Sequence, residues 1–169
     1  MGTKRVGWAR IRSLINENQN EIKVRNTDIL AVTTTKTLVA NDSGATVYMT
    51  KNGSGYVITL PAATVGSNFK FVVAAGGAAN HFLTCAGSDL IFGKAQVTST
   101  HATHDSAVQE ILKASAKDSV FLHSTGATSG GRVGDTVELT CIEAGYWICV
   151  ANLYTSHATP ASIVTIKND

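Results

Sequence analysis

TVELTCIEAGYWICVANL (136–153) sets Trp147 and two of the three cysteines, Cys141 and Cys149, around an Ala-Gly pair. On its first side Val137, Leu139 and Cys141 alternate with Glu138 and Thr140. Period-two alternation marks a strand with one buried face. With Glu143-Ala144-Gly145 as the loop, Cys141 stands opposite Trp147 and Leu139 opposite Cys149. Val137, Leu139, Cys141, Trp147 and Cys149 then share one core-facing side. The stretch predicts an antiparallel hairpin. Its two cysteines occupy diagonal positions near the limit of disulfide reach, so buried free thiols are expected.

A second stretch, TVYMTKNGSGYVITL (46–60), aligns with TVELTCIEAGYWICV (136–150) without gaps. Thr46, Val47, Thr50, Gly55, Tyr56 and Ile58 meet Thr136, Val137, Thr140, Gly145, Tyr146 and Ile148. Both read as strand, glycine turn and aromatic-led strand. Convergence of amphipathic hairpins explains such a match, and so do equivalent places in the two sheets of a sandwich. Lys51 and Thr59 stand where Cys141 and Cys149 do, so the pattern itself does not require thiols.

Outward from these stretches the chain keeps the same texture. Its 169 residues suit one domain. Only 15% are charged, against about 25% in ordinary soluble proteins. Threonine is abundant, in TTTKT (33–37) and VTSTHATH (97–104) among others, and its branched Cβ favours strands. From Leu30 onward the predicted strands are TKTLVAN, ATVYMTK, GYVITL, NFKFVVA, HFLTCA, a short DLIFG edge, AQVTST, VQEILKAS, SVFLHS, DTVELTCI, YWICVANL and SIVTIK. Turn residues separate them at NDSG (41–44), NGSG (52–55), AGSD (86–89) and GATSGG (126–131). Short strands at this spacing predict an all-β fold, an antiparallel β-sandwich or a jelly-roll or tulip-like barrel, carrying a short N-terminal helical arm.

That arm has its own charge and period. Residues 1–26 hold six basic residues and two acidic ones, about +4, while the rest holds eight basic and ten acidic, about −2. Ile11, Leu14, Ile15 and Ile22 recur at helical spacing, predicting a helix over about 6–19. The division is a basic arm, 1–26, and a β-sandwich body, 27–169. So short a helix needs a docking partner. Lys4, Arg5, Trp8, Arg10, Ile11, Arg12, Leu14 and Ile15 are the candidate partner-binding residues. Basic side chains alone suit phosphates, but the Ile and Leu stripe requires an apolar surface, which favours protein docking over nucleic acid.

Chemistry-bearing patterns are sparse. A nucleophilic Cys141 or Cys149 needs a nearby base and an electropositive setting, which a core-facing thiol lacks. GATSGGRV (126–133) has Arg132 and Val133 where a phosphate loop has Lys and a hydroxyl residue, and a strand follows it instead of a helix. HATHD, with His101, His104 and Asp105, is the best candidate metal set, but a solvated loop with two histidines is the simpler reading, and no metal is expected. The longest apolar runs, such as FVVAA (71–75), fall far short of the roughly 18 residues of a membrane span. No secretory signal is read, because IRSLINENQN turns polar early. The expectation is a non-enzymatic protein without cofactor or membrane, from the cytoplasm or a particle assembled there.

GYVITLPAATVGSNFKFVV (55–73) and GGRVGDTVELTCIEAGYWICVANL (130–153) together resemble small β-rich virion proteins of tailed bacteriophages. The resemblance is to capsid decoration, or cement, proteins and to related head- or tail-fibre domains. Ile58, Thr59, Leu60, Pro61, Gly66, Phe69 and Phe71 fit an I-T-L-P strand followed by a G-x-x-F-x-F strand. Gly134, Asp135, Thr136, Val137, Leu139, Gly145 and Trp147 fit a G-D-T-V-x-L strand leading into a tryptophan strand. The resemblance implies a sandwich or tulip-like homotrimer on the virion's capsid surface, strengthening contacts among major capsid proteins. It brings no catalytic residues. Its alternative is a fibre or receptor-binding domain that contacts host surface glycans through aromatic residues such as Phe92, Tyr146 and Tyr154.

Overall fold

The computed structural model describes residues 11–13, 15–16, 29–50, 55–75, 81–99, 107–111, 113–122, 132–155 and 164–167. Two sheets enclose one apolar core. One has seven strands in the order β1-β3-β5-β10-β11-β7-β8, the other five in the order β12-β9-β6-β4-β2. The first is made of β1 (Ile29–Val32), β3 (Thr46–Met49), β5 (Asn68–Val73), β7 (Leu90–Ser99), β8 (Ala107–Ile111), β10 (Thr136–Glu143) and β11 (Tyr146–Thr155). The second holds β2 (Lys36–Thr37), β4 (Tyr56–Thr59), β6 (His81–Thr84), β9 (Ser119–Leu122) and β12 (Val164–Lys167).

The expected antiparallel arrangement is corrected to two mixed sheets. Through β1 to β6 the chain alternates between the sheets, so β1, β3 and β5 stack in parallel in one and β2, β4 and β6 in the other. Parallel neighbours need long connections, most often a helix. Here a strand of the opposite sheet fills that connection. The rungs are unequal: Ile29 pairs with Thr46 and Thr46 with Lys70, steps of 17 and 24 residues. No constant period therefore marks this winding in the sequence.

Three local expectations change with it. Residues 46–60 are not a hairpin, because β3 and β4 lie in different sheets. DLIFG is not an edge strand; it runs on into AQVTS as the ten-residue β7, between β11 and β8. Gly93 carries it through at φ +136, where a Cβ would lie 2.1 Å from the Cys149 carbonyl oxygen. Only glycine permits that approach. Finally, TKTLVAN keeps two strand residues, Lys36–Thr37, before a 3-10 turn at Ala40–Asp42 held by the Val39 N–H donating to Asp42 Oδ2 at 2.9 Å. The ILAV segment before it, outside the expected strands, forms β1.

Residues 136–150 do form the predicted hairpin. Cys141 pairs with Trp147 and Leu139 with Cys149, with a bulge between Cys141 and Glu143. Val137, Leu139, Cys141, Trp147 and Cys149 are all buried. Trp147 packs against Phe69 at 5.9 Å between ring centroids, and Phe69 against Phe71 at 6.3 Å. These inward residues meet Ile58, Leu83 and Val120 of the second sheet in one continuous core.

Candidate functional site

The cysteines are structural. Cys85, Cys141 and Cys149 are free and buried. Burial pushes the Cys149 thiol up to about 12. Cys85 is also pushed up to about 12, by burial first and then by the carboxylates of Asp89 and Asp118. Burial raises Cys141 too, with a backbone hydrogen bond at Glu143 working the other way. A thiol so far above neutral pH supplies almost no thiolate, the form that attacks or binds metal.

The turn at residues 132–135, just before β10, is locked. Asp135 is 1% exposed, and its carboxylate accepts the backbone N–H of Arg132 at 2.9 Å and of Tyr154 at 2.9 Å. The Asp135 N–H donates back to the Arg132 carbonyl, and Gly134 turns at φ +96. Charge-assisted bonds to backbone amides are strong and oriented. They join the start of β10 to the far end of β11. Asp89 does similar work at the opposite end of the hairpin: its Oδ2 accepts the Ala63 N–H at 2.6 Å, and the Leu90 N–H donates to the Gly145 carbonyl. Sequence reasoning quoted both aspartates inside motifs without giving either a role. An aspartate next to glycine or serine in a turn is the signal available for such anchors.

The aromatic residues expected to gather for a glycan do so only in part. Phe92 and Tyr146 meet edge to face at 6.3 Å. Tyr154 lies eight residues further along β11, about 26 Å away at ~3.3 Å per residue. Lys113 bridges to Glu143 and holds its Nζ 4.5 Å from the Tyr146 ring centroid, covering a ring face a sugar would use.

On the N-terminal arm, residues 11–13 and 15–16 are helical, and Ile11, Arg12 and Ile15 are exposed. Lys4, Arg5, Trp8, Arg10 and Leu14 lie outside the described residues, as do His101, His104 and Asp105. Among the described residues no three His, Cys, Asp or Glu side chains are placed to hold a metal ion. No helix among them is long and apolar enough to cross a membrane. Other apolar side chains reach solvent at Ile29, Val39, Val65, Val133, Ile142, Val150 and Tyr154.

The chain matches no family model, no curated protein sequence and no solved structure.

Proposed function

We propose that this chain is a structural, non-catalytic virion protein that decorates the outer capsid lattice and stabilises contacts between major capsid proteins. In this reading the body is a sandwich-type domain, the protein acts as a homotrimer, and it needs no cofactor, membrane or nucleic acid. The observation that carries the reading is the pairing of an anchored β body with a helix that leaves Ile11 and Ile15 exposed beside basic residues. Polar groups that elsewhere suggest chemistry, Asp135 and Asp89, are engaged by backbone amides, and the thiols are buried in the core. What remains for a partner is surface, and the arm combines positive charge with apolar side chains. Such a segment gains order by docking on a protein that offers both. The resemblance to phage cement proteins supplies the partner's class.

Deletion of residues 1–26 tests the reading. The truncated body is expected to retain its β-sheet circular dichroism and to lose binding to particles of the parent virus, measured by co-sedimentation. Binding at wild-type level by the truncated protein would exclude the arm as the capsid anchor. Electron microscopy of the parent particle tests location directly: density on the capsid lattice supports decoration, and density on the tail supports the fibre alternative.

A further inference from the structure

The 136–155 hairpin interrupts a winding to which it does not belong. β1, β3 and β5 stack in parallel in the seven-stranded sheet as the chain passes between the sheets, and β7 is the next strand of that sheet. Yet β7 does not pair with β5. β10 and β11 stand between them, β10 against β5 and β11 against β7. Within this sheet the hairpin alone joins the two.

Strand pairs differ widely in how much chain separates them. Cys141 and Trp147 of the hairpin are six residues apart, whereas Phe69 and Leu139 are 70 apart and Ile91 and Trp147 are 56 apart. Chain closure alone disfavours those distant pairings by roughly thirty- to fortyfold relative to the hairpin. Every pairing in the second sheet also spans at least 22 residues. β7 with β8 is the next most local pair, Val97 to Ala107 at ten residues, but β8 is an edge strand, so that pair can template growth on one side only.

The hairpin carries its own fastenings as well. Gly145 turns it at φ +80, a conformation glycine adopts freely. Asp135 closes its open end from within residues 132–155, accepting the N–H of Arg132 and of Tyr154. Asp89 fastens the other end from outside. It accepts the Ala63 N–H from 26 residues away, and the Leu90 N–H beside it reaches the Gly145 carbonyl across 55 residues.

We infer that the 136–155 hairpin is already formed in the transition state for folding, and that β5 and β7 are then added to its two edges. Distant pairs form later because their loop entropy is lost before their contacts repay it. During synthesis from the N-terminus β1 to β9 therefore emerge before the segment on which they assemble. The inference stands on the fold and does not depend on where the protein is located.

Stopped-flow refolding and unfolding of the full chain test it. Weakening a contact already made in the transition state slows refolding, and weakening a later one speeds unfolding. Asp135→Asn and Asp89→Asn weaken similar bonds at opposite ends of one hairpin. Asp135→Asn is expected to place more than half of its loss in the folding equilibrium constant, counted logarithmically, on the refolding rate. Asp89→Asn is expected to speed unfolding and to leave refolding within about twofold of wild type. Cys149→Ala in the hairpin and Ile58→Val in the second sheet repeat the comparison with buried core side chains, and carry it if an aspartate variant fails to fold. The expected split is the same, slower refolding for Cys149→Ala and faster unfolding for Ile58→Val. Equal partition within a pair would overturn the inference, and so would refolding slowed more by Asp89→Asn or Ile58→Val than by its hairpin counterpart.

Discussion

Residues 46–60 and 136–150 share letters but not architecture. The second stretch turns back on itself within one sheet; the first leaves one sheet and enters the other. The difference is visible in which residues face the core. Val47 and Met49 are buried as Val137 and Leu139 are. In the second half of each stretch the phase inverts: Tyr56 and Ile58 are buried, while the aligned Tyr146 and Ile148 are not and Trp147 and Cys149 are buried instead. The Tyr56 hydroxyl donates to the Val32 carbonyl at 3.3 Å, inside the core, and its ring stacks on His81. Tyr146 sits under Lys113 at the surface. Identical residues at matched positions thus face opposite environments. Inward phase carries the structural information here, and letter identity does not.

The largest test of that comparison is at the strand flanking the hairpin. Gly93→Ala forces a Cβ into the Cys149 backbone at a φ that alanine strains to adopt, and a loss of about 4 kcal/mol or more is expected by chemical denaturation. A cost under about 1 kcal/mol would show that β7 and β11 do not approach as described. Next come the aligned isoleucines. Ile58→Ala is expected to cost about 2–5 kcal/mol as a core cavity, and Ile148→Ala less than about 1 kcal/mol. Equal costs would return the two stretches to one architecture.

Asp135→Asn tests an anchor present only in the hairpin. It keeps the size of the side chain and removes its charge from two backbone hydrogen bonds, for an expected loss of about 1.5–3 kcal/mol. A further test is the dependence on pH. Cys85 and Cys149 are held near 12 in the folded chain against an ordinary 9.0, so the folded state keeps protons that the unfolded state releases. Stability is therefore fully present below about pH 9 and declines as pH rises toward 12. Denaturant midpoints across pH 7–11 measure it, and replacing both residues with alanine should flatten the decline.

Much of this was legible from local pattern. Alternation in TVELTC identified the inward residues of β10, and the Ala-Gly loop set the register that pairs Cys141 with Trp147. The same alternation was present in YVITL, with Tyr56, Ile58 and Leu60 in phase, opposite to the phase the aligned hairpin requires. That inversion was the available sign of a crossing chain. At Gly93 the cue misled, since a glycine that usually ends a strand here lets one continue past a neighbouring backbone. For Asp135 the sequence offered a turn residue but not its second acceptor contact, because Tyr154 lies 19 residues away.

The sequence by itself determined that the chain is built of strands, which side of the 136–150 hairpin faces inward, and that its cysteines are core residues. These follow from contrast between apolar and polar side chains along a short segment, a property each strand carries alone. Tertiary structure decided which sheet each strand joins, and that β1, β3 and β5 stack in parallel in one sheet while β2, β4 and β6 do so in the other. Those outcomes depend on backbone hydrogen bonds, whose donors and acceptors are nearly the same at every residue. Side-chain order cannot distinguish one partner strand from another until the core is assembled around them.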